Sequence, residues 1–247
     1  KVFTRIHYRF TVRGRNLKKN VVEQAVRLSH EKYCSATAIL AVLLADLAFG
    51  LWALPRLRGK APVDWILAGE ADRFGGAGTS ALVAPLLGIV FWALVLLLPL
   101  VDPLRKNYSR FPGTLKLVRW LLPLMNVAVH VVATLGALGF AIDRDWSVRA
   151  ILAVFFTVFG NSMGKLRHNW FIGIRTPWTI ASEEVWTRTH RLAAPIWVAG
   201  GLVQLAGAFV PGTPGEVLFA VPLAVMTLVP IAYSYLAFRK VTASGCA

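Results

Sequence analysis

The sequence is poor in charge and in cysteine, and both shortages limit what it can be. Only 16% of its 247 residues are Asp, Glu, Lys or Arg, whereas a soluble domain carries about a quarter. Its two cysteines, Cys34 and Cys246, set no disulfide framework and lack metal-site spacing, so free thiols in a reducing compartment are expected. Phosphate-loop, nucleophile-elbow and metal-ligand motifs are also missing. We therefore expect no enzyme, no catalytic residue, no cofactor and no metal.

Long apolar runs take the place of the missing charges. Most have the roughly 20 residues needed to cross a hydrocarbon core of about 30 Å, and in lipid such runs must be helical. The predicted fold is an all-α polytopic membrane protein with six transmembrane helices. The six runs are residues 36–54, 80–101, 120–142, 148–163, 193–211 and 217–237.

Basic residues fall mostly on one side of the six spans. Residues 1–35, 102–119, 164–192 and 238–247 hold 21 of the 27 Lys and Arg. The positive-inside rule places that side in the cytoplasm, with both termini inside. The net charge of +15 is then a topology signal and an attraction to anionic lipid, so we expect no direct nucleic-acid binding.

The first 35 residues differ from the rest. Alternating apolar and polar residues over 1–13 predict a half-buried strand, and helical spacing over 18–35 predicts an amphipathic helix. One strand and one helix do not bury a core alone. The sequence therefore predicts a short strand–helix extension before the membrane region.

The loop at 160–192 is the most unusual stretch. Three tryptophans lie eight residues apart and alternate with arginines, a pattern that would hold the loop flat against the cytoplasmic leaflet, with rings at the headgroup level. The tryptophans are Trp170, Trp178 and Trp186, and the arginines are Arg167, Arg175, Arg188 and Arg191.

A helix is predicted to begin within this loop. Ser182 is followed by Glu183 and Glu184, which favour a capped helix start with acids at the positive end of its dipole. Trp186 and His190 would then share one face, four residues apart. For His190, pairing with the neighbouring arginines or with lipid phosphate is favoured over zinc, because no second histidine follows at metal-site spacing.

Three polar residues interrupt the predicted spans. Asp46 lies in the middle of the first, where a lone carboxylate costs about 2.5–3.5 kcal/mol and should face the bundle or water. A proton or ligand site and a packing residue that is protonated or hydrogen-bonded are both open for it. Asn126 and His130 share a face of the third span, and interhelical hydrogen bonding is favoured over metal binding. A transporter or channel that uses these three residues as a polar path is the alternative function.

The motif in the 160–192 loop resembles the hallmark of the SdpI family. From Gly160 it reads G-N-x-M-x-K-x-x-x-N-x-F-x-G-I-R-T-P-W-T-x-x-S-E-E-V-W-x-x-T-H-R. Residues 54–74 and 102–108 are similar to a small domain of unknown function that often begins members of this family. That domain usually has a histidine where this chain has Asp64. The resemblance covers residues 37–240.

The resemblance implies a function and a set of partners. It implies immunity to a secreted peptide toxin, membrane signalling through a cytoplasmic transcriptional repressor, or both, at the inner membrane of a bacterial cell. It also divides the chain into an N-terminal membrane domain (36–142) and an SdpI-like membrane domain (143–247), each of three spans. The lipid bilayer is the remaining expected partner.

We expect the 160–192 loop to bind a partner protein or a lipid headgroup. Arg175 would anchor a phosphate or an acidic surface, Trp178 and Trp186 would stack or lie at the interface, and Asn161 and Asn169 would fix the ends of the loop. The full set of candidate residues is Asn161, Lys165, Asn169, Arg175, Thr176, Pro177, Trp178, Glu183, Trp186, His190 and Arg191.

Residues 1–40 are similar to the C-terminal half of OsmC-type proteins, and 1–35 are expected to be a partial OsmC-like segment. In the peroxidases of that family, a cysteine at the position of Cys34 pairs with a peroxidatic cysteine earlier in the chain, which would lie before Lys1. We therefore expect Cys34 to be a vestigial thiol. A remnant of a hydroperoxide reductase is the third functional hypothesis.

Overall fold

The computed structural model describes residues 19–20, 22–23, 34–57, 60–65, 71–76 and 79–245. The chain divides into two compact units, residues 1–42 and 43–247. In the first unit, residues 19–20 and 22–23 are helical, within the predicted amphipathic helix. The predicted strand at 1–13 lies outside the described residues, so the OsmC-like resemblance stays a prediction.

Helices dominate the described part of the chain. The longest apolar ones confirm the predicted all-α polytopic fold, because six of them are long and apolar enough to cross a membrane: Ala36–Arg56, Ala81–Val101, Pro112–Ala137, Arg144–Met163, Glu183–Ala208 and Thr213–Ala243. We label the α-helices α1 (Cys34–Ala53), α2 (Ala84–Val101), α3 (Pro112–Ala137), α4 (Arg144–Met163), α5 (Pro177–Ala181), α6 (Glu183–Ala208) and α7 (Thr213–Gly245).

Two helices extend beyond the predicted spans because polar residues cap them. The predicted fourth span, 148–163, begins earlier as α4, where the Asp143 carboxylate accepts a 3.0 Å hydrogen bond from the Trp146 N–H. The predicted fifth span, 193–211, and the predicted helix start at Ser182 belong to one helix, α6. Pro195 lies within α6 without ending it.

A short hairpin was not predicted. Strand β1 (Lys60–Trp65) pairs antiparallel with β2 (Ala71–Gly76), with Lys60 opposite Gly76 and Trp65 opposite Ala71. A segment of π-helix, Thr79–Val83, leads from the hairpin into α2. The hairpin lies in the loop between the first and second spans. Glycine and proline there interrupt the alternation of apolar and polar residues that predicts a strand.

The helix surfaces are apolar and the interfaces between helices are lined by small residues. Large apolar side chains such as Phe91 and Leu100 are exposed on the spans, as expected where lipid is the solvent. At the contact of α4 with α6, a Cβ added to Gly160 would lie 2.6 Å from the Trp197 Cβ. Glycine there lets two helices approach closely, which is how helices pack in membranes.

Candidate functional site: a cap of two loops

Two loops on the same side of the spans are joined by a buried carboxylate. We call residues 102–111 and 164–182 together the two-loop cap. Asp102 follows α2 and is 2% exposed. Its carboxylate accepts hydrogen bonds from the Leu104 N–H (2.7 Å), the Tyr108 hydroxyl (2.7 Å) and the Trp170 N–H (3.0 Å). Three donors offset the cost of burying this charge, and one of them comes from the other loop.

Two further contacts hold the loops together. The Asn107 side-chain amide donates to the His168 carbonyl oxygen at 2.8 Å. The Arg110 guanidinium lies 2.9 Å from the Glu183 carboxylate at the start of α6, with both side chains about half exposed. Because these residues touch across more than 60 positions of sequence, the two loops must lie on the same side of the bundle.

Asn169 organises the second loop from inside. It is fully buried. Its side-chain oxygen accepts from the N–H groups of Phe171 (2.9 Å) and Ile172 (2.6 Å), and its amide donates to the carbonyls of Arg167 (2.8 Å) and Ile172 (3.0 Å). All four bonds go to backbone groups, so the Asn169 side chain holds this turn, as backbone hydrogen bonds do in a helix or sheet.

Trp186 and His190 form a stacked pair on α6, and the second loop packs around it. Their rings stack with centroids 4.1 Å apart, as their spacing on α6 predicts. The Trp186 indole N–H donates to the Leu166 carbonyl at 3.1 Å. His190 Nδ1 lies 2.8 Å from the Trp186 carbonyl and Nε2 accepts from the Ile174 N–H at 2.9 Å. One ring nitrogen therefore donates and the other accepts, which defines a neutral imidazole.

Glycine is required where the second loop passes over the Trp186–His190 pair. Gly173 has φ +127°, and a Cβ there would overlap His190 Nε2 and lie 3.1 Å from the Trp186 ring. The left-handed backbone brings the next residue, Ile174, into position to donate to the imidazole. Glycine at this position thus serves both the conformation and the close approach.

The burial of Trp186 and His190 corrects two expectations. Trp186 is 0% and His190 1% exposed, so both rings are buried within the protein, and the nitrogens of His190 bond the Trp186 carbonyl and the Ile174 N–H in place of an arginine or a lipid phosphate. Trp186 instead belongs to the main apolar core, with Val118, Met163 and Leu166 among its members. The helix start that was predicted beside them is confirmed, because the Ser182 hydroxyl accepts from the Val185 N–H.

The short helix α5 docks the end of the loop onto α7. Thr176 and Thr179 form a reciprocal capping box at its start, followed by Pro177 as its first residue. The Thr176 hydroxyl also lies 3.1 Å from the hydroxyl of Ser234 on α7, and Trp178 packs edge-on against Tyr235 with centroids 5.2 Å apart. Trp178, which was expected to stack or to lie at the interface, therefore packs against a residue of another helix.

The outward surface of the cap is cationic and aromatic. Trp170 is 46% and Phe171 37% exposed, and the exposed Arg175 donates to the Trp170 carbonyl at 3.3 Å. We call Trp170, Phe171 and Arg175 the exposed patch. The other exposed residues of the predicted set are Asn161, Lys165, Pro177, Glu183 and Arg191.

An apolar cavity of about 240 Å³ lies beneath the patch. Phe171, Ile172 and Gly173 of the loop line it, and so do side chains of three helices. These helix residues are Val95 and Leu98 from α2, Val118, Leu121 and Leu122 from α3, and Phe155 and Phe159 from α4. Phe171 therefore belongs both to the outward surface and to the apolar space below it.

The environment of Tyr108 keeps its hydroxyl protonated. Burial raises the pKa of the hydroxyl well above its ordinary value of 10.0, and the hydrogen bond to Asp102 and the negative charge of Asp102 act in the same direction. The phenol therefore stays neutral and donates to Asp102 throughout the physiological range.

The intramembrane residues come together in part. His130 Nδ1 lies 2.8 Å from an Asp46 carboxylate oxygen, and both side chains are almost fully buried. Asn126 lies one turn before His130 on α3, and its side-chain oxygen is buried without a hydrogen-bond partner. Cys34 is the first residue of α1. Among the described residues, no three His, Cys, Asp or Glu side chains form a group that would hold a metal.

Sequence reasoning missed the first loop of the cap. Asp102, Asn107 and Tyr108 were noted only as part of a resemblance, yet they supply the contacts to the second loop. The signal available was an acid directly after an apolar span, next to Pro103, where helices commonly end. Nothing in the sequence indicates that its partner is a backbone N–H some 68 residues away.

These features define an integral membrane protein of six spans whose two same-side loops form one braced cap. Residues 165–234 match the model of the SdpI/YfhL protein family, which confirms the predicted resemblance over that part of the chain. The chain is also similar to "Immunity protein SdpI" of Bacillus subtilis (strain 168), with 28% identity over 108 residues, 44% of this chain and 52% of that protein. The match thus spans about half of that relative's length. No solved structure matches the chain.

Proposed function

We propose that this protein gives a bacterial cell immunity to a secreted toxic peptide from within the inner membrane, and that its two-loop cap binds a cytoplasmic protein such as a transcriptional repressor. The likeness to an immunity protein supports the first part, since the matched residues 165–234 include most of the second loop. The single observation that supports the second part is the exposed patch, which stands on a loop fixed from below.

The rigidity of the cap separates it from a plain connection. A loop that only returns the chain to the membrane needs few internal bonds, and loops of that kind are mobile and variable. Here Asn169, His190 and Asp102 each bond backbone groups of residues 170–174. Holding an aromatic ring and an arginine at fixed positions on the outside is what a preorganised binding surface requires.

The charge of the cap favours an acidic partner. Glu183 and Glu184 are each paired with an arginine, Arg110 and Arg188 respectively. Among the described residues, no carboxylate forms an ion pair with Lys165, Arg175 or Arg191. Arginine beside tryptophan is the commonest composition of a protein-binding hot spot.

The orientation that this proposal needs follows from charge. The cap lies within the basic segments 102–119 and 164–192, for which the positive-inside rule predicts a cytoplasmic position. A toxic peptide would then meet the opposite side or the membrane interior, whereas a repressor would meet the cap.

Protection is tested by survival. Cells that lack their own immunity protein are challenged with the secreted peptide while they express this protein, and survival well above that of cells with an empty vector is expected. Survival equal to the empty vector, with the protein present in the membrane fraction, would overturn the first part of the proposal.

Partner binding is tested by site-specific photo-crosslinking. A photoreactive amino acid at Trp170 should capture a co-expressed transcriptional repressor, and the same group at the exposed Arg239 of α7 is the matched control. Crosslinking at both positions, or at neither, would contradict the assignment to the cap. Capture of anionic lipid alone at position 170 would assign the patch to headgroups instead of a protein.

A further inference from the structure

A carboxylate and an imidazole meet inside the first three spans, far from the cap. Asp46 is the central residue of the first span, and His130 Nδ1 lies 2.8 Å from its Oδ1. The side chains are 0% and 1% exposed, respectively. The hydrogen bond joins α1 to α3, two helices that α2 connects in sequence.

The pair leaves polar atoms without partners around it. The second oxygen of Asp46 and Nε2 of His130 are buried and make no hydrogen bond. The side chains four residues before and after His130 also hold a buried polar atom without a hydrogen-bond partner, Asn126 through its Oδ1 and Thr134 through its Oγ1. A buried polar atom without a hydrogen-bond partner costs about 1–3 kcal/mol, so three within about two turns of α3, with a fourth on Asp46 of α1, are unusual for a packing contact.

Two glycines create the space in which the pair lies. A Cβ on Gly50 would overlap the Ala81 carbonyl oxygen and lie 3.5 Å from the His130 ring. A Cβ on Gly88 would lie 2.6 Å from the side-chain oxygen of Asn126. Gly50 lies one turn after Asp46 on α1 and Gly88 of α2 faces Asn126, so the helices approach each other closely beside these polar groups.

Among the described residues, no Lys or Arg forms an ion pair with Asp46. Between residue 43 and the end of α1, Asp46 is the only ionisable side chain, and α2 and Thr79–Val83 have none. On α3, Arg119 is eleven residues from His130, about 16 Å along the helix. On the neighbouring α4, Arg144 packs beside Gly136 and Arg149 pairs with Asp145.

Charge balance then links the pair to one proton. With neutral His130 donating its Nδ1–H, the pair carries the charge of the Asp46 carboxylate. Uptake of one proton, on Nε2 of His130 or on the free oxygen of Asp46, makes the pair neutral, and its release restores the negative charge.

We propose that Asp46 and His130 form an intramembrane proton-binding site, with Asn126 and Thr134 as the polar groups that admit water to it. The site lies in spans one to three, outside the residues 165–234 that match the family model, and does not depend on the function proposed for the cap. A buried pair of this kind adds little stability over apolar residues, and intramembrane ionisable residues usually mark proton or ion paths.

Infrared difference spectroscopy on the full chain in lipid nanodiscs tests the site. Spectra between acidic and alkaline buffer should contain one band of carboxyl or imidazole protonation that disappears in both D46N and H130Q. The matched control is D143N, which removes an exposed capping carboxylate and should leave that band in place.

Each outcome decides the proposal. Loss of the same band in the two variants, each folded by size-exclusion chromatography and circular dichroism, supports it. A parent spectrum unchanged by D46N and by H130Q overturns it, as does loss in one variant only, because the site requires a shared proton. If D46N does not fold, the comparison of H130Q with D46E serves, since the glutamate keeps the titrating group.

Discussion

Asp102 is the residue on which the cap depends most. Its carboxylate receives three donors, two of them backbone N–H groups. In D102A these donors stay buried without an acceptor, so we expect a loss of about 2–4 kcal/mol in the free energy of unfolding. Thermal unfolding in detergent measures it, together with faster proteolysis at 164–176.

The matched control removes an ion pair from the same cap. Arg110 and Glu183 are about half exposed, and an exposed pair contributes about 0–1 kcal/mol. E183Q should therefore unfold close to the parent. If D102A were no less stable than E183Q, Asp102 would not be the tie between the two loops.

Tyr108 makes the stability of the cap depend on pH in the alkaline range. The folded protein raises the pKa of this phenol above 10.0, so it binds the proton more tightly than the unfolded chain does. The stabilisation is complete below the ordinary pKa and decreases as the pH rises above it. Y108F lacks it, and we expect the stability difference between parent and Y108F to shrink above pH 10, measured by denaturant unfolding. A difference that stayed constant across that range would contradict the assignment.

At the scale of elements, the second loop depends on its crossing point. G173A places a Cβ against His190 and Trp186 and forces a strained φ, which should cost about 1–3 kcal/mol and open residues 166–176. Hydrogen exchange measured by mass spectrometry should show faster exchange there. G113A is the control, since no atom lies within 4 Å of a Cβ at Gly113; equal exchange in the two variants would contradict this role.

The helices and the loops differ in how far the sequence determines them. Spans were predicted because apolar length is a local property, and the start of α6 followed from Ser182 and two acids. Trp186 was placed at the membrane surface, because a tryptophan among arginines has the same composition at an interface and in a folded loop. Its burial depends on tertiary contacts to this helix, namely the hydrogen bonds of Leu166 and Ile174 and the close approach of Gly173.

At the scale of the whole molecule, the contacts between the two loops require an even number of crossings between them. The positive-inside rule then predicts that both face the cytoplasm. In a background where Cys34 and Cys246 are serine, a cysteine at the exposed Phe140 should react with an impermeant maleimide in intact cells. A cysteine at Trp170 should react only after permeabilisation, and the reverse pattern would contradict the topology.

The central claim is that the exposed patch of the cap, held by a buried frame, binds a cytoplasmic protein partner. The most direct measurement is co-purification of a co-expressed repressor with W170A/R175A, beside the parent and the surface control R239A, at equal amounts in the membrane. We expect R239A to retain the repressor like the parent, and W170A/R175A to lose most of it although it unfolds at the parent's temperature. Full retention of the repressor by W170A/R175A would contradict the claim.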